Sequence, residues 1–367
     1  MNSSELQPLP THLRLHQLAG LQVGPRLLVS AAVHGNEVCG VTAIQRVLQA
    51  FDSGSLTLLR GTLTLLPIAN PLAHRLGRRE GERNLNRNMR PPVLPQDFED
   101  RINTQLCPLL AAHDVLLDLH SFQSQGQPFL MLGPRDNDGE LEPFAHAAKE
   151  TALAACLGPA RIVEGWLSTY ALGLQRRAAR GHDCIRTQTL VQDPHYGVGT
   201  TEYMRSQGGY GLTLECGQHG DADAAEVAYL AILRTLVHLR MLAPDAVTPH
   251  RPAQPPELLQ LYDVIDREHA ADQFEREWAS FDAVLQGQRI GTRHDGTPVL
   301  ASSDGRVVFP NSRAQAGQEW FYLARSNSGP CRHPAFAEKR SLGYKVNSSA
   351  EMTDTALVRA SQRLQPL

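Results

Sequence analysis

The feature that most constrains the fold of this chain is a series of short apolar runs, each soon followed by Gly, Pro or Asn. The runs read RLLVSAAVHG, GTLTLLPIANP, HDVLLDLHS, PFLMLGP and GLTLECG. Helical periodicity separates several of them, and the first such pattern, with Asn36 as its N-cap, places apolar residues at Val38, Val41, Ile44, Leu48 and Phe51. Nearly continuous apolar strands that alternate with helices predict an α/β fold around a largely parallel, buried sheet.

The character of the chain changes after Leu242. Five prolines between Pro244 and Pro256 indicate a linker. Short pieces punctuated by Gly then predict a small β domain over residues 256–325. Residues 326–367 are mostly polar, and we expect a mobile tail there. Residues 1–245 form the larger domain in this interpretation.

Composition and charge narrow the classes of function. The chain is 42% apolar, as in ordinary globular proteins, and its net charge of −3 predicts neither a nucleic-acid partner nor binding to a membrane surface. Its six cysteines form no CxxC pair, which favours a reducing compartment over a disulfide framework or a thiolate zinc site. The sequence shows neither a secretory leader nor a run of roughly eighteen apolar residues that would span a membrane. We therefore expect a cytoplasmic protein.

Polar side chains suited to metal binding or catalysis stand at the ends of three apolar runs. His34 ends the first run and is followed three residues later by Glu37, while His120 and Glu215 stand at the ends of two later runs. Ligands in open α/β sheets sit beyond the carboxyl ends of the strands, so these side chains are expected in one crevice. Two histidines and a glutamate form the ligand set of a catalytic zinc, and Glu215 is then the general base and acid.

A structural interpretation of the same residues remains open. Each of them, taken singly, also fits a surface polar residue at the start of a loop. Only His34 among the fifteen histidines has a glutamate three residues on, although such a pair also arises by chance. The order of the three strand ends is what favours a shared site.

An arginine-rich segment, Asn70–Pro91, follows the run LTLLPIAN and is expected at the same edge of the sheet. Its arginines are Arg75, Arg78, Arg79, Arg83, Arg87 and Arg90. Arginine binds carboxylates through two parallel hydrogen bonds and stabilises the oxyanion of a hydrolytic reaction. The alternative interpretation is a solvated basic loop.

The motifs HGNE, NLNR, DLHS and LECG occur in this order. With them the chain resembles the succinylglutamate desuccinylase/aspartoacylase family, a branch of the zinc carboxypeptidase-like enzymes, over about residues 25–240. The resemblance implies a three-layer zinc carboxypeptidase-like domain with a mixed, largely parallel sheet, and a small C-terminal β domain. It also implies one zinc ion per chain, held by His34, Glu37 and His120, with Glu215 as the base.

The resemblance further implies residues that contact the substrate. The substrate-binding Asn-Arg pair of the family matches Asn86 and Arg87. The arginine that polarises the scissile carbonyl matches Arg79, with Arg78 as the alternative one residue away. A further arginine that contacts the substrate matches Arg205, ten residues before the base.

One position departs from the family pattern, and two further residues have roles that the motifs do not fix. Family members often read DLNR where this chain reads NLNR, so Asn84 replaces an acidic residue that would orient the arginine, and this puts the identity of the substrate in question. The C-terminal β domain of such enzymes can supply a tyrosine, for which Tyr262 is one candidate. His219 lies close to the base, and we expect it in a structural role rather than as a metal ligand.

These expectations together predict a zinc-dependent amidohydrolase that deacylates an N-acyl amino acid or a similar small amide. In this interpretation Glu215 takes a proton from the attacking water and Arg79 stabilises the oxyanion. The expected partner is a small anionic N-acylated substrate, and the sequence is compatible with a homo-oligomer. The alternatives are a metallocarboxypeptidase that acts on short peptides and a non-catalytic carboxylate-binding protein.

Overall fold

The computed structural model describes residues 9–179, 193–248 and 254–327. Strands and helices follow in the order β1 (His16–Ala19), β2 (Gln22–Ala31), α1 (Cys39–Asp52), β3 (Arg60–Leu66), α2 (Pro71–Leu76), α3 (Phe98–Ala111), β4 (Val115–Phe122), β5 (Phe129–Met131), α4 (Ala147–Leu157), β6 (Arg161–Glu164), α5 (Trp166–Ala179), α6 (Thr200–Ser206), β7 (Tyr210–Gln218), α7 (Ala224–His238), β8 (Glu257–Asp266), β9 (Gln273–Phe274), β10 (Ala283–Val284), β11 (Arg289–Thr292), β12 (Pro298–Leu300), β13 (Gly305–Val308) and β14 (Glu319–Ser326). None of the helices in these ranges is long and apolar enough to cross a membrane.

Most of the strands form one mixed sheet of eleven strands, in the order β1-β3-β2-β4-β7-β5-β6-β8-β14-β13-β10. Strands β3, β2, β4 and β7 run parallel, whereas β1 and β5 pair antiparallel with β3 and β7. The strands after β8 pair antiparallel, and β12, β11 and β9 form a small separate sheet. The predicted α/β fold with a mixed sheet and additional C-terminal β structure is confirmed.

Helices cover both faces of the parallel strands because those strands are apolar on both sides. Leu27 and Val29 of β2 share one core cluster with α1, α4 and α7. Leu28, between them, points to the opposite face and packs with α2, α3 and α6. Each fully buried leucine contributes about 1.5–3 kcal/mol to stability. The resulting three layers hold the strand ends in fixed register along one edge of the sheet.

The sheet continues from the larger part of the chain into the C-terminal part through the parallel pairing of β6 with β8. Arg161 of β6 donates to Glu257 of β8 at 3.0 Å across this pairing. The predicted linker falls partly on residues 249–253 and the predicted tail almost wholly on 328–367, which lie outside the described residues. The domain boundaries therefore stay a prediction.

Helix α1 begins later than the sequence predicts. Val38 is its N-cap residue and has no side-chain capping bond, so the prediction of Asn36 as the N-cap is wrong. The physical reason is a tight turn before the helix, in which the backbone amide of Glu37 donates to the carbonyl oxygen of His34 at 3.1 Å. This turn brings the His34 and Glu37 side chains together at the end of β2.

Candidate active site

The three residues of the predicted metal set converge at the carboxyl ends of β2 and β4. Glu37 lies between the two imidazoles, with Oε1 2.9 Å from His34 Nδ1 and Oε2 2.9 Å from His120 Nδ1. One ligand atom from each residue lies within 4.8 Å of the other two, and all three side chains are buried. Two imidazoles and a carboxylate are a donor set for a divalent transition metal.

The second ring nitrogen of each histidine is held by a side-chain oxygen. His34 Nε2 lies 3.1 Å from Asn84 Oδ1, and His120 Nε2 lies 2.8 Å from Asp118 Oδ2. With the hydrogen on Nε2, each ring donates to that oxygen and presents its Nδ1 lone pair to the shared site, as metal-binding histidines do. Asn84 of the NLNR motif therefore contacts a metal-set histidine.

The two histidines differ in how readily they lose a proton. Burial, reinforced by Arg79, lowers the pKa of His34 to about 4, so this ring is neutral at pH 7. Burial also acts to lower the pKa of His120, but Asp118 and Glu37 outweigh it and raise that pKa well above its usual value. A metal ion binds only the neutral ring and must displace the proton on His120.

Glu215 brings a second carboxylate to the same place. In the pairing of β4 with β7 it stands directly opposite His120. Its Oε2 is buried and has no hydrogen-bond partner among the described residues. Burial raises the pKa of this carboxyl to about 8. His120 acts to lower this pKa, and Glu37 acts to raise it. The raised pKa reflects the cost of ionising an unpartnered buried carboxyl, so the arrangement fits a site in which a metal ion and water stabilise the carboxylate.

Two arginines of the arginine-rich segment line the cavity that contains these groups. Arg79 Nη1 donates to Glu37 Oε1 at 3.0 Å, and its side chain is about half exposed. Arg87 is buried, and its Nη1 donates to the carbonyl oxygen of Asn86 at 2.8 Å. Arg78 is not among the described residues that line this cavity. The structure thus brings Asn86, Arg87 and Arg79 to the metal set.

Arg205 is the predicted site residue that the structure does not bring to this cavity. Its guanidinium is buried and pairs with Glu142 at 2.8 Å, Glu150 at 3.0 Å and Glu202 at 3.4 Å. A guanidinium that already has three carboxylates around it stabilises the packing of α6 against α4 and β7. Contact of Arg205 with a substrate has no geometric support.

Comparison with known proteins places these residues in a family. A model of the succinylglutamate desuccinylase/aspartoacylase catalytic domain matches residues 23–239. The chain belongs to this family. The resemblance carried by the four sequence motifs is confirmed over nearly the predicted range, and the family is one of hydrolases. No curated protein sequence matches the chain.

Solved structures of other proteins share the fold of this family member. The product-bound ectoine utilization protein EutE (DoeB) from Ruegeria pomeroyi is 19% identical, with a TM-score of 0.62 over 85% of this chain and 88% of that one. A succinylglutamate desuccinylase/aspartoacylase from Rhodobacter sphaeroides is also 19% identical, with a TM-score of 0.61 over 86% and 89%. A succinylglutamate desuccinylase from Vibrio cholerae is 18% identical, with a TM-score of 0.60 over 85% of each chain.

Several cavity residues of this desuccinylase/aspartoacylase family member carry no sequence motif. Trp166 begins α5, Phe309 follows β13, and Glu319 and Tyr322 lie on β14. The Trp166 and Tyr322 rings lie 5.3 Å apart. Among the described residues, Tyr322 is the tyrosine of the C-terminal part that lines the cavity, whereas the candidate Tyr262 does not line it. The apolar pattern of β14 indicates a strand but does not reveal which face borders the cavity.

His219 lies at the rim of the cavity and outside the metal set. Its Nδ1 is 2.9 Å from Ser121 Oγ, and its Nε2 is 3.4 Å from Asn36 Nδ2. Burial lowers the pKa of His219, so the ring is neutral at pH 7 and serves as both donor and acceptor. These contacts agree with the structural role expected from the sequence.

Proposed function

We propose that this protein is a zinc-dependent amidohydrolase that removes the acyl group from an N-acyl amino acid or a similar small amide. The observation that carries the proposal is one cavity of about 210 Å³ that is lined by the metal set, the unpartnered Glu215 carboxylate and Arg87. Such a cavity combines metal donors, a base and a cation for a substrate carboxylate.

Each residue has a chemical role in this proposal. His34, Glu37 and His120 would hold a zinc ion, which would supply Lewis acidity for the scissile carbonyl and would lower the pKa of a water molecule. Glu215 accepts a proton from the attacking water, whose oxygen bonds to the acyl carbon. Glu215 then donates that proton to the amine as the carbon–nitrogen bond breaks. Arg79 stabilises the negative charge that develops on the carbonyl oxygen.

Asn86 and Arg87 are proposed to hold the carboxylate of a small anionic substrate. No carboxylate oxygen of the described residues lies within 4 Å of the Arg87 guanidinium, although other arginines of the same segment have such partners. Planar guanidinium groups bind carboxylates through two parallel hydrogen bonds, which fixes the orientation of the bound molecule.

A metallocarboxypeptidase that acts on short peptides is the second candidate. One observation favours it: the cavity continues past Asn36, Gln123 and His219 into a neighbouring groove, which those residues also line. A longer chain has room to extend there. A non-catalytic carboxylate-binding protein is the third candidate, and it requires that the metal set take no part in catalysis.

The test combines metal analysis with hydrolysis assays on the wild type, His34→Ala and Glu215→Ala. We expect about one zinc per chain in the wild type and in Glu215→Ala, and its loss in His34→Ala, because His34 is a ligand and Glu215 a base. Only the wild type should hydrolyse N-acetyl amino acids. Absence of metal after zinc is supplied would favour the binding protein, and faster hydrolysis of short peptides would favour the peptidase.

A further inference from the structure

The cation proposed to hold the substrate carboxylate is packed against aromatic rings. The central carbon of the Arg87 guanidinium lies 4.9 Å from the Trp166 ring centroid and 4.7 Å from the Tyr170 ring centroid. Trp166 and Tyr170 stack on one another, one turn apart on α5. A group bonded close to a carboxylate on Arg87 therefore lies near Trp166. In an N-acyl amino acid, Cα carries both the acylamino group and the side chain. The acylamino group must reach the metal set, so the side chain is the group that lies near Trp166.

A second substrate carboxylate finds no free cation in the described lining of the cavity. Arg79 is the other arginine there, and it is paired with Glu37 at 3.0 Å. Arg205 is held by its own carboxylates outside the cavity. The acidic lining includes Glu202 and Glu319, which are themselves paired with Arg205 at 3.4 Å and with Arg177 at 2.9 Å. A second substrate carboxylate would therefore be buried in the described lining without a cation partner, which is costly.

The cavity wall beside Arg87 is apolar and aromatic. Besides Trp166 it includes Phe122, Met131, Phe309 and Tyr322. The Phe309 ring lies 6.1 Å from Phe122 and 6.4 Å from Tyr322. Trp166 and Phe309 are only half buried, so they keep apolar surface that a ligand can cover. Apolar pockets discriminate between substrates by the apolar surface that each substrate buries against them.

Phe309 is held in this wall in an unusual backbone conformation. Its φ is +51°, in the left-handed region, which is disfavoured for a bulky residue. Its backbone amide donates to Ser280 Oγ at 3.1 Å, which holds this conformation. Strained residues that persist are concentrated at ligand sites. The buried Phe281 shares this conformation with a φ of +76°, so the position of Phe309 in the cavity lining, and not the strain alone, assigns it to the binding wall.

From these observations we infer that the preferred substrates are N-acyl amino acids with an apolar or aromatic side chain and a single carboxylate. The inference rests on the proposed deacylase function. The carboxylate binds Arg87, and the side chain covers Trp166 and Phe309. Dicarboxylate substrates, with an acidic side chain or an acidic acyl group, are disfavoured because their second carboxylate finds no free cation in the described lining.

The first test measures kcat/KM of the zinc-loaded full chain on N-acetylphenylalanine, N-acetylleucine, N-acetylaspartate and N-succinylglutamate. We expect the two apolar substrates to be better by about 10-fold or more. A preference for either dicarboxylate would overturn the inference and leave the deacylase proposal standing. If the zinc-loaded chain hydrolyses none of the four, the deacylase proposal fails, and the inference fails with it.

The second test changes the wall. Trp166→Leu removes the ring beside Arg87, and Phe309→Gly removes a ring at a position where glycine relieves the backbone strain. Both should reduce the ratio of kcat/KM for N-acetylphenylalanine over N-acetylaspartate by about 10-fold. The matched control is Tyr229→Leu. The Tyr229 ring does not line the cavity, and its centroid lies 4.0 Å from the guanidinium carbon of Arg46. If neither wall variant changes the ratio relative to the control, the wall does not select the substrate and the inference is wrong.

Discussion

Two parts of one sheet contribute different groups to the cavity. One part consists of the parallel strands β3, β2, β4 and β7, and the other of the antiparallel strands β8, β14, β13 and β10. The parallel part supplies His34, His120 and Glu215 from the ends of its strands. The C-terminal part supplies Phe309 and Tyr322, from a segment after one strand and from the face of another. The reacting groups thus depend on the register of parallel strands, and the fit of the substrate depends on how the second part packs. Substitutions beside the parallel strands should change kcat or metal affinity, and those in the C-terminal part should change KM and selectivity.

Among the predictions that follow, Arg79→Ala is expected to have the largest effect, which is a loss of kcat. Loss of a donor that stabilises transition-state charge should lower kcat by about 100-fold or more, with a smaller change in KM. The adjacent Arg78→Ala is the matched control, because Arg78 is not among the described residues of the cavity. Steady-state kinetics of both variants decide the assignment. Equal losses in the two variants would contradict it.

The next effect concerns metal affinity and follows from Asp118→Asn. Asp118 accepts hydrogen bonds from His120 and from the hydroxyls of Ser30 and Thr200. Replacing its charge should weaken metal binding by about 10- to 100-fold, as measured by competition with a chelator. The control is Asp114→Asn on the exposed Arg26–Asp114 pair just before the same strand. A weakening of similar size in the control would mean that Asp118 acts only through general stability.

A pH measurement tests the protonation of His120. Because Asp118 and Glu37 raise the pKa of His120 in the metal-free chain, metal binding at pH 7 should release about one proton, and binding should weaken as pH falls. His34, with its pKa lowered to about 4, should release none. Calorimetry in two buffers of different ionisation enthalpy, on Glu215→Gln to remove that carboxyl, measures the release. Absence of proton release at pH 7 would show that His120 is already neutral.

The smallest effect is expected in the C-terminal part, from Tyr322→Phe. The Tyr322 hydroxyl is buried without a hydrogen-bond partner in the described structure and lines the cavity, so it is available to a substrate. Losing one neutral hydrogen bond of about 0.5–1.5 kcal/mol should raise KM by up to about 10-fold and leave kcat nearly unchanged. Tyr262→Phe is the control, because its hydroxyl is also buried and unpartnered but lies outside the cavity lining. A loss of kcat in Tyr322→Phe would assign this hydroxyl to the chemistry instead.

Much of the metal set could be predicted because its residues lie at the ends of parallel strands. Parallel strands place their carboxyl ends along one edge of the sheet, so motifs that are far apart in the sequence become neighbours in space. Local detail was harder to predict. Asn36 has the residue type of an N-cap, yet the turn between His34 and Glu37 delays the helix to Cys39. Propensity describes residues one at a time, and the turn is decided by contacts between them.

The sequence by itself determined the α/β fold class and the convergence of His34, Glu37 and His120. Only the tertiary structure decided the roles of residues whose partners come from distant segments. Arg205 pairs with Glu142 and Glu150, which precede it by 63 and 55 positions, and so it is removed from the cavity. Tyr262 and Tyr322 lie on paired strands, but Tyr322 packs in the cluster beside the cavity and Tyr262 in the cluster on the other face. Side chains alternate between the faces of a strand, and packing across the whole sheet determines which face borders the site.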